Sequence, residues 1–106
     1  MTRIHDDLDG MKIKITMSGH AGYKKENDVV CAAESILMYT LLEGLKGAEY
    51  RSDDENAFVE INAPNSRENV LIWKTIKRGY RLLEKEYPQN VKIEWKQGRN
   101  EKKIMK

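Results

Sequence analysis

The chain has 106 residues, of which 19 are basic and 17 acidic, giving a formal net charge of +2, and 40% are apolar. That length fits one domain whose core needs no disulfide or metal. No apolar run reaches the ~18 residues that span a bilayer, and so small a net charge does not argue for nucleic-acid binding. The one cysteine, Cys31, excludes an internal disulfide, and no apolar secretory core follows Met1, so a reducing, cytoplasmic location is expected.

Residues 1–10 are polar, rich in aspartate and end in Gly10, and read as a flexible N-terminal arm with Met11 opening the ordered part. His5, Asp6, Asp7 and Asp9 in this arm could gather a cation, but no matching ligand pattern occurs elsewhere, so neither a metal nor a cofactor is expected. Met11, Ile13, Ile15 and Met17 then alternate with Lys12, Lys14 and Thr16, the period of a half-buried strand. Gly19-His20-Ala21-Gly22-Tyr23 breaks that strand, and a polar loop follows.

Asp28 stands in the N-cap position of a long helix carrying Cys31, Ser35, Met38, Leu42 and Leu45 at spacings of four and three. Val30, Ala33, Leu37 and Leu41 run beside that stripe, so the helix is apolar over most of its circumference. Such a helix must be covered on more than one side, by a second helix or a second subunit. Gly44 and Gly47 stop it. Residues 48–52 and 57–62 read as a hairpin. A second helix, capped by Ser66, carries Trp73, Ile76, Tyr80, Leu83 and Tyr87, with Gly79 inside it as a mark of close packing. Pro88-Gln89-Asn90 ends it, and Val91, Ile93 and Trp95 alternate in a last strand. The order β-α-β-β-α-β predicts an α+β domain over residues 11–96, with two helices on a four-stranded sheet. Residues 97–106 read as a flexible charged tail.

Two residues carry chemistry. Cys31 is the third residue of the first turn after Asp28, where backbone N–H groups lack intrahelical partners and the helix dipole favours an anion. Thiols so placed ionise more readily than the usual ~8.5, although the Asp28 carboxylate opposes that effect, and a lone cysteine on an apolar helix also serves as a small core residue. His20 lies just past the first predicted strand. A sheet end that gathers His20 and the start of the helix would form a cysteine–histidine nucleophile pair; the alternative is a turn histidine in solvent.

The combination Gly19-His20-Ala21, Asp28, Val30-Cys31-Ala32-Ala33 and Ser35 resembles the ribosomal-processing cysteine protease (Prp) family. Val29 stands where isoleucine is usual, and the chain length, element order and Tyr87 before Pro88 agree with it. The resemblance implies a bacterial, homodimeric cysteine endopeptidase that removes an N-terminal extension from a large-subunit ribosomal protein. In relatives the client is a phage capsid or scaffold protein, so a prophage-encoded processing protease is the alternative. It further implies Cys31 as nucleophile and His20 as general base, with Asp28 and Ser35 supporting. Gly19, Gly22, Tyr23, Lys24 and Lys25 then belong to a loop that meets the protein substrate. The backbone N–H groups of Cys31 and Ala32 would form an oxyanion hole, typically worth ~3 kcal/mol per donor. No membrane is expected as partner, and nucleic acid only indirectly, through the ribosome.

Two features depart from the family pattern. The loop lacks a glycine after Gly22, and Glu34 places a charge where members carry a small or apolar residue; its expected direction is toward solvent. Lys74, Arg78, Arg81 and Lys85 form a basic stripe on the second helix. It is either a solvated face or, in a non-catalytic reading, the contact of a ribosome-associated binding module.

Overall fold

A computed structural model describes residues 1–25 and 28–95. The chain order is β1 (Thr2–Leu8), β2 (Lys12–Ser18), α1 (Val29–Gly44), β3 (Glu49–Asp53), β4 (Phe58–Pro64), α2 (Arg67–Glu86) and β5 (Val91–Trp95). The predicted tail over residues 97–106 lies outside the described residues. Among those described, no helix is long and apolar enough to cross a membrane.

The α+β class holds, but the sheet has five strands, in the order β3-β4-β2-β1-β5. The extra strand is β1, which corrects the expected loose arm over residues 1–10. It is internal: it pairs antiparallel with β2, Arg3 opposite Ser18 through Leu8 opposite Ile13, and parallel with β5, Thr2 opposite Val91 through Asp6 opposite Trp95. Without it β5 would have no neighbour in the sheet. Thr2, Ile4 and Asp6 are buried on its inner face. The charge that hides this alternation, Asp6, is 2% exposed, and its Oδ2 receives a 2.7 Å ion pair from Lys77 Nζ and a 2.8 Å hydrogen bond from Trp73 Nε1.

The helices cover one sheet face. Ile13, Ile15 and Met17 of β2, Ile61 and Ala63 of β4, and Val91 and Ile93 of β5 point into a core shared with Val30 and Leu41 of α1 and Trp73, Ile76 and Tyr80 of α2. The residues of the candidate cation set disperse: Asp6 turns inward, Asp9 accepts the backbone N–H groups of Met11 and Lys12 in the β1–β2 turn, and His5 Nε2 meets Glu94 at 2.9 Å on the opposite face.

Gly79 marks the helix crossing. A Cβ there would lie 2.6 Å from Leu37 Cδ2, so the two helices approach more closely than an alanine permits. α2 covers one flank of α1 and leaves the other open, where Val29, Ile36 and Tyr39 are 57%, 63% and 58% exposed. The stripe Lys74, Arg78, Arg81 and Lys85 faces solvent from the outside of α2.

Candidate active site

The segment between β2 and α1 is fastened at each stage. Gly19 turns with φ +86°, its N–H donating to the carbonyl of Ala57 at 2.9 Å. His20 follows, exposed, and next to it Ala21 is buried, its carbonyl accepting Asn90 Nδ2 at 2.9 Å. Gly22 turns again at φ +69°. The Tyr23 ring stands edge-on to Tyr87, with centroids 5.0 Å apart. Lys24 and Lys25 are exposed beyond it.

Asp28 joins this loop to the helix. Its Oδ1 accepts the N–H groups of Val30 and Cys31 at 2.9 and 3.1 Å, and its Oδ2 those of Tyr23 and Lys24 at 3.0 and 3.2 Å. Burial pushes this carboxyl up, but the four N–H donors of Cys31, Lys24, Val30 and Tyr23 outweigh it and hold the group below the usual carboxylate range. Asp28 is therefore an anion at neutral pH. One carboxylate sets both the start of α1 and the seat of the loop bearing His20.

Cys31 sits in the first turn of α1, half-buried against the core, and Ser35 lies one turn on, exposed. Cys31, Asp28 and the His20 loop thus share one end of the domain. Both amides expected as oxyanion donors are hydrogen-bonded to Asp28. Cys31 N–H is held by the Asp28 side chain, and Ala32 N–H donates to the Asp28 carbonyl at 3.0 Å.

Glu34 is the second correction. It turns inward rather than to solvent, Oε1 accepting the Thr2 hydroxyl at 3.0 Å while Oε2 is buried with no hydrogen-bond partner among the described residues. The Tyr80 hydroxyl donates to the Glu34 carbonyl at 3.0 Å. An open groove of about 420 Å³, with His5, Lys14, Thr16, Phe58 and Glu60 among its walls, lies on the sheet face away from the helices and away from Cys31. Asn90, Tyr87 and Thr2 were not legible as parts of the site. The bond between Asn90 and Ala21 joins residues 69 apart, which leaves no local signal.

The family model of the cysteine protease Prp matches residues 1–92. Among solved structures, the ribosomal processing protease Prp from S. aureus with a covalently linked product peptide is similar at 23% identity and TM-score 0.79. The match covers 91% of this chain and 100% of that one. The same protease with a substrate peptide is similar at 21% identity and TM-score 0.75, and a hypothetical protein from Staphylococcus aureus at 23% and 0.61, each with the same coverage. No curated protein matches.

Proposed function

The chain belongs to the cysteine protease Prp family, and on that footing we propose that Cys31 is its nucleophile and His20 its general base. The observation that carries the pairing is the Asp28 carboxylate, which ties the loop after His20 to the turn that holds Cys31. His20 takes the thiol proton, and Sγ attacks the carbonyl carbon of the scissile peptide bond. Collapse of the tetrahedral intermediate expels the amine, which receives the proton from His20 and leaves a thioester. Water, deprotonated by His20, then releases the acid and restores the thiol. Asp28 orients both partners. Ser35 supports the same helix face one turn deeper, and Gly19, Gly22, Tyr23, Lys24 and Lys25 line the approach of the peptide.

The substrate we infer is a large-subunit ribosomal protein carrying an N-terminal extension. Support comes from the family and from the fold shared with a ribosomal processing protease. We further infer a homodimer, because Val29, Ile36 and Tyr39 form an exposed apolar stripe along α1 that α2 does not cover. Purified protein with peptides spanning candidate extension sites should cleave them, and Cys31→Ser and His20→Ala should each abolish turnover. Intact peptides with wild-type protein across a broad set would refute the reading. Ile36→Lys should convert a dimer to a monomer in sizing at micromolar concentration.

A further inference from the structure

We propose that Glu34 is a positioning residue whose carboxyl, one turn beyond Cys31 on the buried side of α1, sets the pH at which the thiol becomes nucleophilic. This deepens the protease reading and rests on Cys31 being its nucleophile. Residues three apart on a helix have Cβ atoms about 5–6 Å from each other, so an ionised Glu34 places a negative charge beside a developing thiolate and disfavours it. A protonated Glu34 removes that opposition.

The carboxyl is held where its charge matters. Thr2 of β1 donates to Oε1, and Oε2 is enclosed without a hydrogen-bond partner among the described residues. From α2, the Tyr80 hydroxyl donates to the carbonyl of the same residue. The charged and titratable groups facing it are Asp28 on its own helix, the Met1 amino group beside β1 and the Tyr80 hydroxyl. Burial pushes the Glu34 carboxyl up to about 7; the Thr2 hydrogen bond and the Met1 amino group draw it down, and the Asp28 charge adds to the rise. Glu34 therefore changes charge within the neutral range, unlike an ordinary glutamate, which is ionised throughout it. Activity would be restrained as pH rises through 7, on top of the ordinary gain from thiol ionisation.

The test is the pH dependence of Cys31 alkylation by iodoacetamide, in which the thiolate displaces iodide to form a thioether. Cys31 is the one thiol in the chain, so no other site contributes. The ratio of Glu34→Gln to wild-type rates should be near one at pH 5.5, where both side chains are neutral. It should rise to roughly threefold to tenfold at pH 8, the size expected of one charge about one helical turn away in a partly solvated setting. Thr2→Val, which leaves α1 untouched, should move the proton onto Glu34 at higher pH and give a smaller excess over wild type between pH 7 and 8. A ratio of one at every pH, or one that is raised equally at all pH values, overturns the proposal. Cleavage is read separately: a pH-dependent alkylation ratio in a protein that cuts no peptide leaves the Glu34 assignment standing and removes the protease reading.

Discussion

Oδ1 of Asp28 accepts the backbone N–H of Cys31 at 3.1 Å, while the other oxygen of the same carboxylate holds the N–H groups of Tyr23 and Lys24. The helix cap and the loop anchor are one side chain, so the two roles can be separated chemically. Asn at position 28 keeps one acceptor oxygen for the helix but turns an NH2 donor toward the N–H groups of Tyr23 and Lys24. Asp28→Asn should leave α1 intact and release the loop, lowering kcat/KM roughly tenfold to a hundredfold through misplacement of His20. Asp28→Ala should lose both functions and also lower the melting temperature. Faster amide exchange at residues 23 and 24, with α1 protection unchanged, would mark the Asn variant; equal losses in both variants would deny the separation.

The two glycines that flank His20 and Ala21 make unequal demands. Gly19 combines φ +86° with a backbone so close to the Met1 carbonyl that a Cβ would collide with it, whereas Gly22, at φ +69°, has only the His20 carbonyl near its Cβ position, at 3.9 Å. Gly22→Ala should cost only the left-handed conformation, about 1–2 kcal/mol. Gly19→Ala adds the displacement of Met1, just ahead of β1, and should cost about 3 kcal/mol or more. Urea unfolding of both variants compares them directly, and equal midpoints would contradict the packing of Met1 on Gly19.

Much of this arrangement is readable in the sequence, and the exceptions have physical causes. The strand over β2, both helices with their caps Asp28 and Ser66, the hairpin of β3 and β4, and β5 all announce themselves through local periodicity. β1 does not, because its inner face carries Asp6, and the partner that makes burial tolerable, Lys77, is 71 residues away. Glu34 differs from expectation for a related reason: its charge suggests solvent, although its spacing of four from Val30 and seven from Leu41 places it on the buried stripe of α1. Local pattern shows where a side chain points. Whether a polar group can remain there depends on distant partners.

The buried carboxyl of Glu34 also predicts how stability depends on pH. Its folded-state value lies above the ordinary 4.5, at about 7, so its contribution is fully present below pH 4.5 and is lost as pH rises through 7. The carboxyls held low, Asp9, Asp28, Asp53 and Glu60, act in the opposite sense: their contributions are present above their unfolded values and lost as pH falls. Stability should therefore rise from acid pH to a maximum near 5 and decline toward 8. Glu34→Gln should flatten the decline by about 1–2 kcal/mol, after allowance for solvent screening of a half-buried group. Urea midpoints measured from pH 4 to pH 8 for both proteins provide the check, and parallel curves would show that Glu34 does not titrate in this range.

The ion pair between Asp6 and Lys77 pins β1 to α2, and its energetics follow from burial rather than attraction. Both residues are nearly enclosed, at 2% and 7% exposure, and Asp6 also accepts the Trp73 indole while its Oδ1 has no hydrogen-bond partner among the described residues. Two charges removed from water recover little more than their desolvation cost, but removing one strands the other. Lys77→Met should therefore destabilise by about 3–5 kcal/mol, because it leaves the Asp6 carboxylate with only the indole to answer it. Asp6→Leu combined with Lys77→Met should be far milder than either substitution alone, since a leucine facing Trp73 leaves no buried charge, only an unpaired indole N–H costing about 1–3 kcal/mol. Denaturant midpoints of the single and double variants form the cycle. A double variant as unstable as the sum of its parts would show no coupling between the two side chains and would overturn this account of how β1 is seated.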